Sequence, residues 1–82
     1  MRFVADHKMT FEWVDDSKDI IPTIPNPMYI PRVGDIIKFS LLDQPKSEFY
    51  DVEVKVVSVK ILIHDTIVGE QTVVVSITKD LS

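Results

Sequence analysis

The sequence predicts an all-β domain: a small antiparallel, partly open barrel of four to five strands with one long proline-rich loop. Three observations carry this. Apolar residues recur with period two in separate runs, as they do on a strand with one buried face. Four of the five prolines stand at Pro22, Pro25, Pro27 and Pro31, which removes both helix and inner strand from that stretch. The longest run slips phase by one residue at Val56-Val57-Ser58, where a bulge would bend a strand and help a small sheet to curl.

From Arg2 to Val14, the residues Phe3, Ala5, His7, Met9, Phe11 and Trp13 share one face. Thirteen residues are long for one strand, so a bend or turn is expected at Asp6-His7-Lys8, with Thr10–Asp15 the better-marked strand. Asp15-Asp16-Ser17-Lys18-Asp19 ends it as a polar loop or a single capped turn. Residues 20–31 are extended and polyproline-like, yet Ile20, Ile21, Ile24, Met28, Tyr29 and Ile30 make them too apolar for a disordered linker. The stretch is expected to cross over one end of the sheet and lay side chains on it.

Pro31 holds Ile30 extended, and Gly34 marks a turn before the next strand, Asp35–Asp43. There Ile37, Phe39 and Leu41 face the core, while Lys38 and Ser40 face water. Asp43–Ser47, with Pro45, is a hairpin turn. Phe49–Ile63 follows, with Val52, Val54 and Val56 in one phase and Val57, Val59, Ile61 and Ile63 in the other. After a connection from His64-Asp65 to Gly69-Glu70, Gln71–Lys79 closes the sheet with Val73, Val75 and Ile77 on one face.

One strand, a long irregular loop and a three-strand meander resemble the order of SH3-like barrels. The Pro31-Arg32-Val33-Gly34-Asp35 entry into an apolar strand is also similar to a turn found in a group of short uncharacterised bacterial proteins. The resemblance covers Ile30 to Thr78 and leaves out Pro22–Pro27 and Thr66–Val68. It implies the fold and carries no activity with it.

Composition narrows function by exclusion. At 82 residues the chain is expected to form one domain, 1–82, with a stability of a few kcal/mol. The formal net charge of −4 and the scatter of Arg2, Lys8, Lys18, Arg32, Lys38, Lys46, Lys55, Lys60 and Lys79, no two adjacent, disfavour a phosphate-binding surface. Without cysteine there are neither disulfides nor thiolate metal sites. Met1–Lys8 lacks the apolar run of a signal peptide, and no window is apolar enough to span a membrane, so a cytoplasmic protein is expected.

Motifs of chemistry are sparse. Two isolated glycines make no phosphate loop. His64-Asp65 could orient an imidazole or contribute to a metal site, but the pair reads first as a turn at a strand end, and His7 as a core or rim histidine. Asp15, Asp16 and Asp19 lack the fixed oxygen spacing of a cation loop and are expected to be solvated. The serines show no base partner, so no catalytic residues, metal, cofactor or small-molecule substrate are assigned.

Aromatic residues remain. Trp13, Tyr29, Phe49 and Tyr50 could line a groove for an extended peptide, although Trp13 and one of Phe49 or Tyr50 are expected in the core. The candidate binding residues are Met28, Tyr29, Arg32, Phe49 and Tyr50. The expected role is a non-enzymatic interaction module that binds a protein partner or itself. The alternatives are a nucleic-acid-associated barrel or an accessory part of a larger assembly, phage-related or otherwise.

Overall fold

The computed structural model describes residues 7–65 and 70–82. The expected alternation over residues 2–6 and the connection Thr66–Gly69 lie outside the described residues. Five strands form one curled sheet: β1 (His7–Trp13), β2 (Ile24–Pro25), β3 (Ile36–Asp43), β4 (Glu48–Asp65) and β5 (Glu70–Thr78), in the order β2-β1-β5-β4-β3. The result is a half-barrel, all-β as expected. Among the described residues there is no helix, and so none long and apolar enough to cross a membrane.

The β3-β4-β5 meander is antiparallel throughout, as is the short β1–β2 pair. The expectation of a wholly antiparallel sheet needs one correction, because β1 runs parallel to β5, from His7 opposite Gln71 to Trp13 opposite Ile77. The reason is the proline crossing. It spends Asp15 to Asp35 returning along the sheet, long enough to carry the chain from β1 to the far edge without a hairpin.

The core follows from period-two geometry. Met9, Leu41, Val52, Val54, Val56, Val73, Val75 and Ile77 are buried, with Phe11, Trp13, Ile21, Ile24, Ile37, Phe39 and Val59 packed around them. Ile37, Phe39 and Leu41 face inward opposite Val54, Val52 and Tyr50, as the alternation requires. Phe11 of β1 and Phe39 of β3 meet edge to face, with ring centroids 4.9 Å apart. This contact draws together β1 and β3, which do not pair with each other in the open sheet.

The phase slip is a bulge, as the sequence predicts. Val56 stands opposite Ile77 and Ser58 opposite Ser76, so Val57 is the extra residue. The bulge lets Val56 and Val59 point to the same face although an odd number of bonds separates them. Deleting Val57 therefore preserves both inward sets and the register with β5. The shortened chain should still unfold cooperatively in urea, losing about 1–3 kcal/mol as the bend relaxes. A chain that no longer folds would show that the extra residue is needed for the curl itself.

Three loop features complete the frame. Arg32 C=O accepts from Asp35 N–H at 3.0 Å, with Gly34 at φ 95° in the third position, as in a type II turn. The turn is sewn to β4 by Gly34 N–H to Val56 C=O and Val56 N–H to Asp35 C=O, both 2.9 Å. Pro25 is tolerated in β2 because that strand is a two-residue edge.

Candidate functional site

The five candidate binding residues do not line one groove. Tyr29 lies at the seam of the half-barrel, Phe49 and Tyr50 lie at the far end of the β3–β4 hairpin, and Met28 and Arg32 belong to neither place. Tyr29 belongs to the seam, where Met9, Phe11, Pro31, Ile37 and Phe39 line an apolar groove of about 340 Å3 between β1 and β3. Its hydroxyl donates to Asp35 Oδ2 at 2.9 Å, and the same oxygen accepts the Arg32 backbone N–H at 2.9 Å. Asp35 thus braces the turn and fixes the tyrosine.

The shared oxygen shifts both groups. The Arg32 N–H and then the Tyr29 hydroxyl hold the Asp35 carboxyl below its ordinary value, while the carboxylate pushes the Tyr29 phenol up. Asp35 was legible only as the end of a turn, since the bond that matters joins it to a loop residue six positions away. Arg32 is exposed. Met28, 104% exposed, stands clear of the sheet.

Phe49 and Tyr50 are neighbours on β4 and therefore point to opposite faces. Tyr50 lies on the inward side, where its hydroxyl donates to Asp19 Oδ1 at 2.9 Å, but it is 39% exposed, so neither aromatic is in the core as one was expected to be. Phe49 is on the outer face and 70% exposed, directly opposite Leu42 of β3. Ile20, 87% exposed, comes from the proline crossing to the same end. Ile20, Pro22, Leu42 and Phe49 border a shallow groove of about 460 Å3. A second one, of about 490 Å3, shares Ile20 and Leu42 and reaches Asp19 and Tyr50.

Ile20 and Leu42 were not among the expected site residues. A signal for Leu42 was present, because it follows Lys38 and Ser40 on the water-facing phase of its strand, where an apolar residue is out of place. Ile20 carried no such signal. The expectation that the crossing lays its apolar side chains on the sheet holds for Ile21 and Ile24, which pack on the core, and for buried Pro31. It fails for Ile20, Met28, Tyr29 and Ile30, which stay exposed, because closely spaced prolines hold the backbone extended and side chains then point both ways.

Asp15 and Asp19 form a clasp, which corrects their reading as solvated, while Asp16 is exposed as expected. Asp15 Oδ2 accepts from Thr78 Oγ1 at 3.1 Å and from the Lys79 N–H at 2.9 Å, and Asp15 Oδ1 accepts from the Ser17 N–H. Asp19 pairs with the Lys79 ammonium and accepts from Tyr50 and Ser17, while its C=O takes the Trp13 indole N–H at 2.7 Å. The Lys79 N–H chiefly lowers the Asp15 pKa, and the Lys79 ammonium chiefly lowers that of Asp19. The Tyr50 phenol is pushed up by Asp19.

The histidines lie apart from all of this. His7 is exposed rather than packed in the core, with its N–H 3.4 Å from Asn26 Oδ1. His64 Nε2 lies 2.8 Å from Thr72 Oγ1, but Thr72 is buried, so its hydroxyl is not presented to solvent. Ser76 is likewise buried and donates to Glu12 at 2.9 Å. Among the described residues no three His, Asp or Glu side chains gather as metal ligands. Comparison with family models, with curated proteins and with solved structures finds no match to this chain.

Proposed function

We propose that the chain is a non-catalytic protein-interaction module whose docking surface is the outer end of the β3–β4 hairpin. The observation that carries this reading is the exposed cross-strand pair Leu42–Phe49 with Ile20 beside it. Apolar side chains of this size, placed together and left in water, cost free energy that a partner recovers by covering them. The shallow, open form of the two grooves suits an apolar segment of a protein better than a compact solute. Tyr50, anchored by Asp19, gives the inner rim a polar handle.

A nucleic-acid reading draws less support. Lys38 pairs with Asp51 at 3.5 Å and faces Glu53 across the strands, and Lys55 reaches the Ser82 carbonyl. The outer face thus alternates in charge, which gives phosphate no continuous positive track.

Selection of a random peptide library on the immobilised chain tests the proposal. Apolar peptides should be recovered, and Phe49→Ser should weaken them at least tenfold, equivalent to about 1.4 kcal/mol. Selected peptides that bind Phe49→Ser as tightly as the parent chain would overturn the assignment of this surface.

A further inference from the structure

We infer that Asp19 is a latch: it fastens the overhanging end of the β3–β4 hairpin to the body of the sheet and fixes Ile20 beside Leu42 and Phe49. β3 pairs with β4 from Glu48, but β5 pairs with it only from Lys55 onward. Among the described residues, 37–43 and 48–54 therefore form a two-stranded ribbon that runs past the end of β5. Two strands alone are marginal and depend on what their inner face meets. Leu41, Val52 and Val54 sink into the core, whereas Leu42 and the residues from Gln44 to Asp51 are exposed. The end of the ribbon thus needs a tie of its own.

Asp19 supplies it. On the side of the body, its C=O takes the indole N–H of Trp13 and its Oδ2 pairs with the Lys79 ammonium, just beyond β5. On the side of the ribbon, its Oδ1 accepts the Tyr50 hydroxyl at 2.9 Å. Among the described residues this is the one side-chain hydrogen bond or ion pair that joins residues 37–54 to the rest of the chain. The two oxygens of one carboxylate therefore hold body and ribbon together. Ile20 stands between Asp19 and Ile21, which packs on the core, while Ile20 itself is exposed. With Asp19 released, only one side of Ile20 stays held.

The consequence for binding rests on the docking reading of this surface. Its apolar side chains come from two segments far apart in the chain, Ile20 from the crossing and Leu42 with Phe49 from the hairpin. With the latch closed they meet a partner already placed. With it open, only a fraction of molecules present all three together, and affinity falls by that fraction. Asp19 and Tyr50 act here as positioning residues, and the latch makes docking conditional on a contact that lies behind the surface.

Tyr50→Phe tests the latch, because it keeps the inward ring and removes only the donor. Amide nitrogen relaxation should show the Ile20 order parameter falling by at least about 0.15, on a scale where rigid backbone lies near 0.85, with Val75 in the middle of β5 unchanged. A tie that served stability alone would lower the unfolding midpoint and leave Ile20 as it was; an unchanged Ile20 overturns the latch. If Tyr50→Phe fails to fold, Asp19→Ala removes the acceptor instead and carries the same expectation. An apolar peptide from the library selection reads the coupling to docking. Ile20→Ala should weaken it about fivefold in the parent chain but less than about twofold in Tyr50→Phe, where Ile20 is already loose. Equal factors in both backgrounds overturn the coupling. Phe49→Ser, which strips the surface and spares the tie, should weaken the peptide and leave the Ile20 order parameter at the parent value. A library that yields no apolar peptide overturns the docking reading alone, and the relaxation of Tyr50→Phe still decides the latch.

Discussion

Truncating Ile77 to alanine should leave the chain unfolded, or nearly so, at room temperature. Ile77 is 0% exposed and holds the middle of the sheet, between Trp13 on β1 and Val56 on β4. Removing a fully buried isoleucine to Ala costs about 2–5 kcal/mol, the spread set by how far the surroundings collapse into the space. Here collapse is limited, because strands on both sides hold the backbone in register. A domain of this length has only about 4–12 kcal/mol to lose, and among the described residues the core has just eight buried apolar side chains, so the low end applies. Urea titration followed by Trp13 fluorescence measures it, since Trp13 is the single tryptophan and sits beside the altered residue. Ile36→Ala, at an exposed position on β3, is the control and should shift the midpoint by well under half as much. Equal losses at both positions would mean that the core is not where the burial places it.

The strands and their faces were legible because burial imposes period two. Val52, Val54, Val56, Val73, Val75 and Ile77 all face inward as their alternation requires. The bulge at Val57 was legible for the same reason, because a slip in phase has no other reconciliation within one strand. Pro31 and Gly34 announced the turn that enters β3, since each restricts or frees φ locally. The parallel β1–β5 pairing was not legible. Strand direction across a crossing of some twenty residues depends on where the chain docks, which no local pattern encodes. The candidate surface was half legible. Phe49 and Tyr50 stood out as aromatics, but adjacent residues on a strand cannot share a face, and only the register with β3 shows that Phe49 is joined by Leu42. Asp15 and Asp19 were misjudged for a related reason. Their donors, Thr78, Lys79 and Tyr50, are more than thirty positions away in the chain, and a cluster of acids looks the same in sequence whether water or protein satisfies it.

The acidic clasp should prove the second point at which a single change costs most. Trp13→Ala is expected to destabilise the chain by about 2–4 kcal/mol, below the full range for a buried tryptophan because part of the ring stays open to water. Three interactions go with the ring: its packing on the core, its N–H bond to the Asp19 C=O, and the Lys79 ammonium 5.5 Å from the ring centroid. Trp13→Phe separates them, since a phenyl ring restores much of the apolar contact but donates nothing. It should recover more than half of the loss, leaving about 1 kcal/mol for the missing hydrogen bond. Far-UV circular dichroism must follow both variants, because the fluorophore is gone. Acid titration reads the same clasp from the other side. Asp15 and Asp19 have folded pKa values below 3.8, so their contribution is full above that value and is lost as pH falls through the lower, folded ones. The parent chain should therefore lose stability below about pH 4, and Asp19→Asn, weaker at neutral pH, should show a shallower acid dependence. If Asp19→Asn instead matched the parent at every pH, the loop from Asp15 to Asp19 would be tethered by its backbone alone, and Trp13 would matter only as a hydrophobic plug.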